Sequence, residues 1–165
     1  MINVHTKYEF FGYPAKSVTL ADCQRSTIFL YYLCAMLIKP TLIRAAEAAG
    51  KVLEQYYGSH FQISNKEGIN NLVTEADHAA EKLIMDIIRA EFPDHYILSE
   101  ESGDMPSASK YKWIIDPLDG TVNFAHGLPI CCVSIGVEYA GEMMMGAVYN
   151  PFFNEFYFAQ KGYGA

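Results

Sequence analysis

The run Trp113-Ile114-Ile115-Asp116-Pro117-Leu118-Asp119-Gly120-Thr121-Val122-Asn123-Phe124 constrains this chain more than any other stretch. Trp113, Ile114 and Ile115 are the β-branched and aromatic residues of a short buried strand. The strand ends at Asp116, an ionisable group at the carboxyl end of a strand, the usual rim for sites in α/β proteins. Pro117 fixes its own φ at about −65° and bars helix at the preceding residue. A turn is therefore expected there, drawing Asp116 and Asp119 together rather than alternating them across a pleat.

Two adjacent carboxylates repel unless a cation joins them. Hard oxygen donors, with no Cys or His nearby, favour Mg²⁺ or Mn²⁺ over zinc or copper. Gly120 lets the backbone approach a ligand closely. If Thr121 opens a helix, it presents free N–H groups suited to phosphate. The combination reads as metal plus phosphate; the plain alternative is an Asp-Pro-x-Asp-Gly turn built of ordinary turn residues.

The flanking residues decide between these. Trp-x-x-Asp-Pro-x-Asp-Gly-Thr-x-Asn-Phe resembles, in order and without a gap, the signature of the inositol monophosphatase family of metal-dependent phosphatases. The resemblance runs from about Leu42 to Ala165 and takes in Leu72-Val73-Thr74-x-x-Asp77, Glu100-Glu101-Ser102 and Lys161-Gly162-x-Gly164-Ala165. Family members continue into a second half of comparable length that carries a further metal-ligating Asp and the residues gripping the sugar alcohol; this sequence stops before it.

The resemblance implies an α+β fold: two amphipathic helices packed on a mostly antiparallel sheet, the first part of a layered α/β/α/β/α sugar-phosphatase fold. It implies that Glu100, Asp116, the Leu118 carbonyl and Asp119 hold Mg²⁺, with Mn²⁺ as the substitute. Glu100 and Thr121 would hold the attacking water, which Asp77 orients, and Asp119, Gly120 and Thr121 would bind phosphate. Lys66 and Glu101 are further candidates. The implied substrate is a small phosphorylated sugar alcohol, first an inositol monophosphate. Fructose 1,6-bisphosphate, nucleotide 3′-phosphates and histidinol phosphate are alternatives, as is a non-catalytic metal-binding fragment or binding module. Full-length members are expected to be homodimers.

The bulk properties agree. The 165 residues suffice for a core, and 51% apolar and 14% aromatic residues mark a globular chain. A net charge of −7 argues against a nucleic-acid surface, which needs a basic patch. Cys23, Cys34, Cys131 and Cys132 form no CxxC pair and read as reduced thiols in a cytoplasmic protein.

Residues 1–39 read as an extension of uncertain structure and 40–165 as the phosphatase-like part. The apolar run from Ile28 to Ile38 falls short of the roughly 18 to 20 residues of a membrane span. A helix is expected from Pro40 in its first turn to a Gly58 C-cap, with Leu42, Ala45, Ala46, Ala49, Leu53, Tyr56 and Tyr57 on its apolar face. Ser59 to Asn71 reads as a loop or hairpin. A second helix is expected from a Thr74 N-cap, with Asp77 completing a capping box. That role alone could account for Asp77, and it is compatible with the functional one. Strands are expected at Tyr96–Ser99, Pro129–Tyr139, Glu142–Tyr149 and Phe153–Ala159, the middle two joined by an Ala140-Gly141 hairpin. His126 reads as a surface or helix-end residue, with ligation as the alternative.

Overall fold

The computed structural model describes the backbone of residues 27–57 and 66–165 and the side chains of residues 36–57 and 75–165. The second of two compact units, Ile38–Ala165, carries everything that positions the site. Helices α1 (Thr27–Tyr57) and α2 (Lys66–Glu91) precede strands β1 (Tyr96–Ser99), β2 (Gly103–Met105) and β3 (Tyr111–Asp119). A short helix α3 (Thr121–Ala125) then leads to β4 (Cys132–Tyr139), β5 (Glu142–Asn150) and β6 (Glu155–Gln160). The six strands form one sheet in the order β2-β1-β3-β4-β5-β6, antiparallel except for the β1–β3 pair. The expected α+β architecture is the observed one.

Cross-strand register sorts the sheet into two faces. Ile97, Trp113, Ile115, Val133, Ile135, Val137, Met145 and Ala147 are buried on one of them. This face is roofed by the helices: α1 contributes Ile38, Leu42, Ala45, Ala46, Ala49 and Leu53, and α2 contributes Ala76, Ala80, Ile84 and Ile88, all buried at helical spacing. Gly50 shows how closely the layers meet. A Cβ there would lie 2.5 Å from the Tyr149 ring, so the helix accepts a residue of poor helix propensity in exchange for contact. The opposite face carries the row Leu98, Ile114, Gly136, Gly146, Ala159, half-buried to exposed.

Several element boundaries differ from the sequence reading. Pro40 lies inside α1, not in its first turn. The missing N–H and the ring clash cost about 3 kcal/mol in a helix interior, and burial of Ile38, Thr41 and Leu42 on either side opposes that loss. Helix α2 starts at Lys66, so residues 66–71 are helical rather than loop and Thr74 is an interior residue, not an N-cap. The capping box with Asp77 is therefore not formed. Gly58 and residues 59–65 fall outside the described residues, as do the side chains of Cys23, Cys34 and Lys66.

At the central motif the turn expected at Pro117 is absent, and β3 runs through it to Asp119. What happens instead is a bulge: Asp116 faces Ser134 and Asp119 faces Cys132, so three steps on β3 oppose two on β4. Ser134 and Cys132, two apart, share a face, and the extra residue puts Asp116 and Asp119 on that face too. The carboxylates meet as expected, by a different device. Hairpin β4–β5 turns through Ala140 (φ 53°) and Gly141 (φ 85°), the paired left-handed conformation of a two-residue hairpin loop. The short strand β2 was not foreseen.

Candidate active site

Five carboxylates gather where β1 and β3 end. The two strands are parallel, so their carboxyl ends coincide, and the Glu100 N–H donates to the Ile115 carbonyl at 3.0 Å, extending the pairing one step beyond β1. This sets Glu100 beside Asp116. Asp119 follows across the bulge, and Asp77 projects from α2 with only 6% of its surface exposed.

The electrostatics record the crowding. Burial, then the charges of Glu101, Asp116 and Glu100, push Asp77 up to about 8. Burial, then Glu100 and Asp119, raise Asp116 to about 7, against the opposing hydrogen bond from the Leu118 N–H to its Oδ1 at 3.2 Å. No ion pair among the described residues includes Asp77, Glu100, Glu101, Asp116 or Asp119. One oxygen of Asp77, Oδ1, is buried without a hydrogen-bond partner. Unneutralised hard oxygens and an orphaned buried carboxylate atom fit a divalent cation of the Mg²⁺ or Mn²⁺ kind. Among the described residues, no group of three or more Asp, Glu, His or Cys side chains is arranged to hold a metal ion as it stands. The donor chemistry matches such an ion; a finished cage is not present.

Gly120 shapes the other side. It adopts φ 89° and ψ 33° and caps α3, which opens at Thr121 as expected. Its missing side chain is required twice over, by the left-handed backbone and by the Ile130 carbonyl, which a Cβ would approach to 2.8 Å. The Thr121 hydroxyl donates to the Leu118 carbonyl at 3.0 Å, occupying part of the oxygen proposed from sequence as a ligand. Behind the helix, buried Phe124 meets Tyr57 edge-on at 5.5 Å, and the Tyr57 hydroxyl donates to the Gly127 carbonyl. The Asn123 and Asn150 amides donate to the Ile130 and Pro129 carbonyls at 2.7 and 3.1 Å, stapling the following loop. Exposed His126 ends α3 with its Nδ1 2.8 Å from the Val122 carbonyl, in keeping with a helix-end role.

An open cleft of about 450 Å³ leads from Glu100 and Asp116 across Ser134 and Gly136 to Met143. It supplies a concave approach to the acids.

Two residues of the site escaped the sequence reading. Glu81, 3% exposed, takes the Ser102 N–H on Oε1 at 2.9 Å and the Ser102 hydroxyl on Oε2 at 2.6 Å, and so fixes the turn that holds Glu100 and Glu101. The signal was available, because Asp77 and Glu81 are four apart and lie on the apolar stripe of α2, where an unpaired acid is costly. Cys132 is the other. Its Sγ lies 3.7 Å from Asp119 Oδ2, so a thiol does adjoin the acids. Burial, then Asp119, pushes this thiol up to about 12, and the same two causes push buried Cys131 to about 11, leaving both protonated at neutral pH.

Comparison with known proteins follows the same residues. Residues 37–165 match the model of the inositol monophosphatase family. The chain is 46% identical over 122 residues to an inositol-1-monophosphatase of a Synechocystis species, covering 73% of this chain and 42% of that protein. It is 46% identical over 125 residues to the Nus factor SuhB of Haemophilus influenzae, covering 74% and 47%. Among solved structures, the inositol monophosphatase of Anabaena superposes with a TM-score of 0.67 at 40% identity, covering 79% of this chain and 46% of that one. The chain thus spans less than half the length of the curated relatives it matches.

Proposed function

Since the chain belongs to the inositol monophosphatase family, we propose that it carries the cation- and phosphate-binding half of a phosphomonoesterase whose first substrate is an inositol monophosphate. The observation that carries this reading is the gathering of Asp77, Glu100, Glu101, Asp116 and Asp119 without an ion-pair partner among the described residues, beside a glycine-capped helix start.

In this reading Glu100, Asp116 and Asp119, with the remaining lone pair of the Leu118 carbonyl, would hold Mg²⁺ or Mn²⁺. A bound divalent cation supplies polarisation of the phosphoryl oxygens and a lowered pKa for water. The protein's own groups do the rest. The Gly120 and Thr121 amides donate to phosphate oxygens, where negative charge develops. Glu100, beside Asp116, accepts a proton from the attacking water while the Thr121 hydroxyl fixes the position of that water. Asp77, raised to about 8 and buried, is protonated at neutral pH in the absence of a cation and orients the water once charge balance lets it ionise. Ser102, clamped by Glu81, keeps Glu100 in place.

Positioning of the substrate can supply roughly 7 to 11 kcal/mol of a barrier, and the matched part of this chain covers 42% and 47% of the two relatives. The second half of a relative is expected to supply the wall for the sugar alcohol. The test is phosphate release from inositol 1-phosphate with excess Mg²⁺, comparing the chain alone with the chain joined to the second half of a close relative. Turnover only in the joined form, lost in Asp116→Asn, supports the reading. No turnover in the joined form despite correct folding argues for a binding module; full turnover by the chain alone shows that the site needs no second half.

A further inference from the structure

A further half-buried titratable group, His95, stands on the β1–β3 seam at the end remote from the acids. His95 precedes β1, and its ring is stacked between Phe92 at 4.6 Å and 10° and Tyr111 at 4.8 Å and 17°. Its Nδ1 lies 3.0 Å from Nε1 of Trp113, which is fully buried. An indole nitrogen only donates, so Nδ1 must be the acceptor and the ring proton sits on Nε2. The backbone is pinned as well: Arg89 Nη1 donates to the His95 carbonyl at 2.6 Å and to the Pro93 carbonyl at 2.8 Å.

The bond joins the starts of two strands whose ends bear Glu100 and Asp116. Tyr96 pairs with Lys112 and Ile97 with Trp113, three residues before the acids. A proton arriving at Nδ1 turns the acceptor into a donor facing another donor, and so breaks the bond to the buried Trp113 indole. The charged groups facing the ring are Arg89 of α2, which opposes a second positive charge, and Asp94 of the turn, which favours one. From β3 the ring meets the Tyr111 phenol, uncharged in acid, and the indole of Trp113.

We propose that His95 is an acid-operated latch on the β1–β3 seam: neutral, it ties the start of β1 to Trp113; protonated from solvent, it releases that start. Burial, with Arg89, holds its titration down at about 4, so the latch is closed at neutral pH and opens only in distinctly acid conditions.

Trp113 is the chain's single tryptophan and so reports its own bond. Imidazole proton–nitrogen NMR of the whole chain is expected to show Nδ1 unprotonated at pH 7 and titrating near 4, with a drop in Trp113 emission at the same midpoint. Amide exchange at Leu98 and Ser99 should rise across that step, while Val133 and Ile135 stay protected. His95→Gln, whose side-chain oxygen accepts but gains no proton, is expected to abolish the step. Titration near the ordinary 6.5, loss of protection across the whole sheet at once, or an unchanged step in His95→Gln overturns the proposal. Should that variant not fold, separate midpoints for the imidazole and the emission in the wild type overturn it equally.

Discussion

Gly120→Ala separates two demands that the structure places on one residue. The first is conformational: φ of 89° lies in the left-handed region, where an L side chain costs about 1–2 kcal/mol. The second is steric. The added Cβ would stand 2.8 Å from the Ile130 carbonyl oxygen and 3.1 Å from Cys131 Cα and Cβ, all fixed by backbone, so the loop must shift. Forcing an extra methyl into such a contact costs about 1–3 kcal/mol. The expected loss is about 2–4 kcal/mol after allowing roughly 0.4–1 kcal/mol for the stiffer unfolded chain. Gly141→Ala is the control, because φ is 85° there and nothing lies within 4 Å of the added carbon, leaving only the conformational part. Urea unfolding of both variants, with unchanged m, should place Gly120→Ala about 1–3 kcal/mol below Gly141→Ala. Equal losses would falsify the close approach at Ile130 and with it the account of why a glycine stands at the mouth of the site.

Calorimetric titration with Mg²⁺ or Mn²⁺ should show binding that Asp116→Asn weakens more than Glu101→Gln; indistinguishable isotherms for wild type and Asp116→Asn remove the ligand assignment. In chelator, the raised folded-state values of Asp77 and Asp116 mean that their contribution to stability is fully present below 3.8 and is lost as pH rises through about 7 to 8. The melting temperature should thus fall between about pH 4 and 8 and level off above that, and Mg²⁺ should remove the decline; a flat profile in chelator contradicts it. Glu81→Leu, which strands the Ser102 N–H and hydroxyl, should lose about 1–3 kcal/mol in the same unfolding assay and weaken Mg²⁺ binding, whereas stability within 0.5 kcal/mol of wild type, roughly the spread of neutral surface changes, sinks the clamp.

The apolar pattern was the legible part of the fold. Leu42, Ala45, Ala46, Ala49 and Leu53 announced their helix face, and Ala140-Gly141 announced its hairpin, because burial and left-handed φ leave direct marks on residue choice. The starts of the helices were not legible. Pro40 reads as a first-turn residue, yet flanking burial carries α1 through it, an effect that depends on partners distant in sequence. The turn of α2 before Thr74 is polar and has no periodicity to read. At the site, the motif drew attention to Asp116, Asp119 and Gly120, but the bulge that brings the acids to one face depends on register with β4. Cys132 read only as a reduced thiol, because its approach to Asp119 exists only in that register. Glu81 hid inside an otherwise apolar stripe whose exception was the signal.

The bulge also decides what mutagenesis at this site can measure. In a regular ladder the Leu118 amide and carbonyl would be answered by a neighbouring strand; here the amide is answered by the Asp116 carboxylate and the carbonyl by the Thr121 hydroxyl. The side chains proposed for chemistry therefore double as partners of the main chain. Replacing either one leaves a peptide group with one bond fewer, so a variant that loses activity has also lost part of its sheet end. For Asp116 and Thr121, ablation of function and loss of local order are one experiment. Separating them at Asp116 requires a replacement that keeps an acceptor for the Leu118 amide while removing the charge, as Asp116→Asn does.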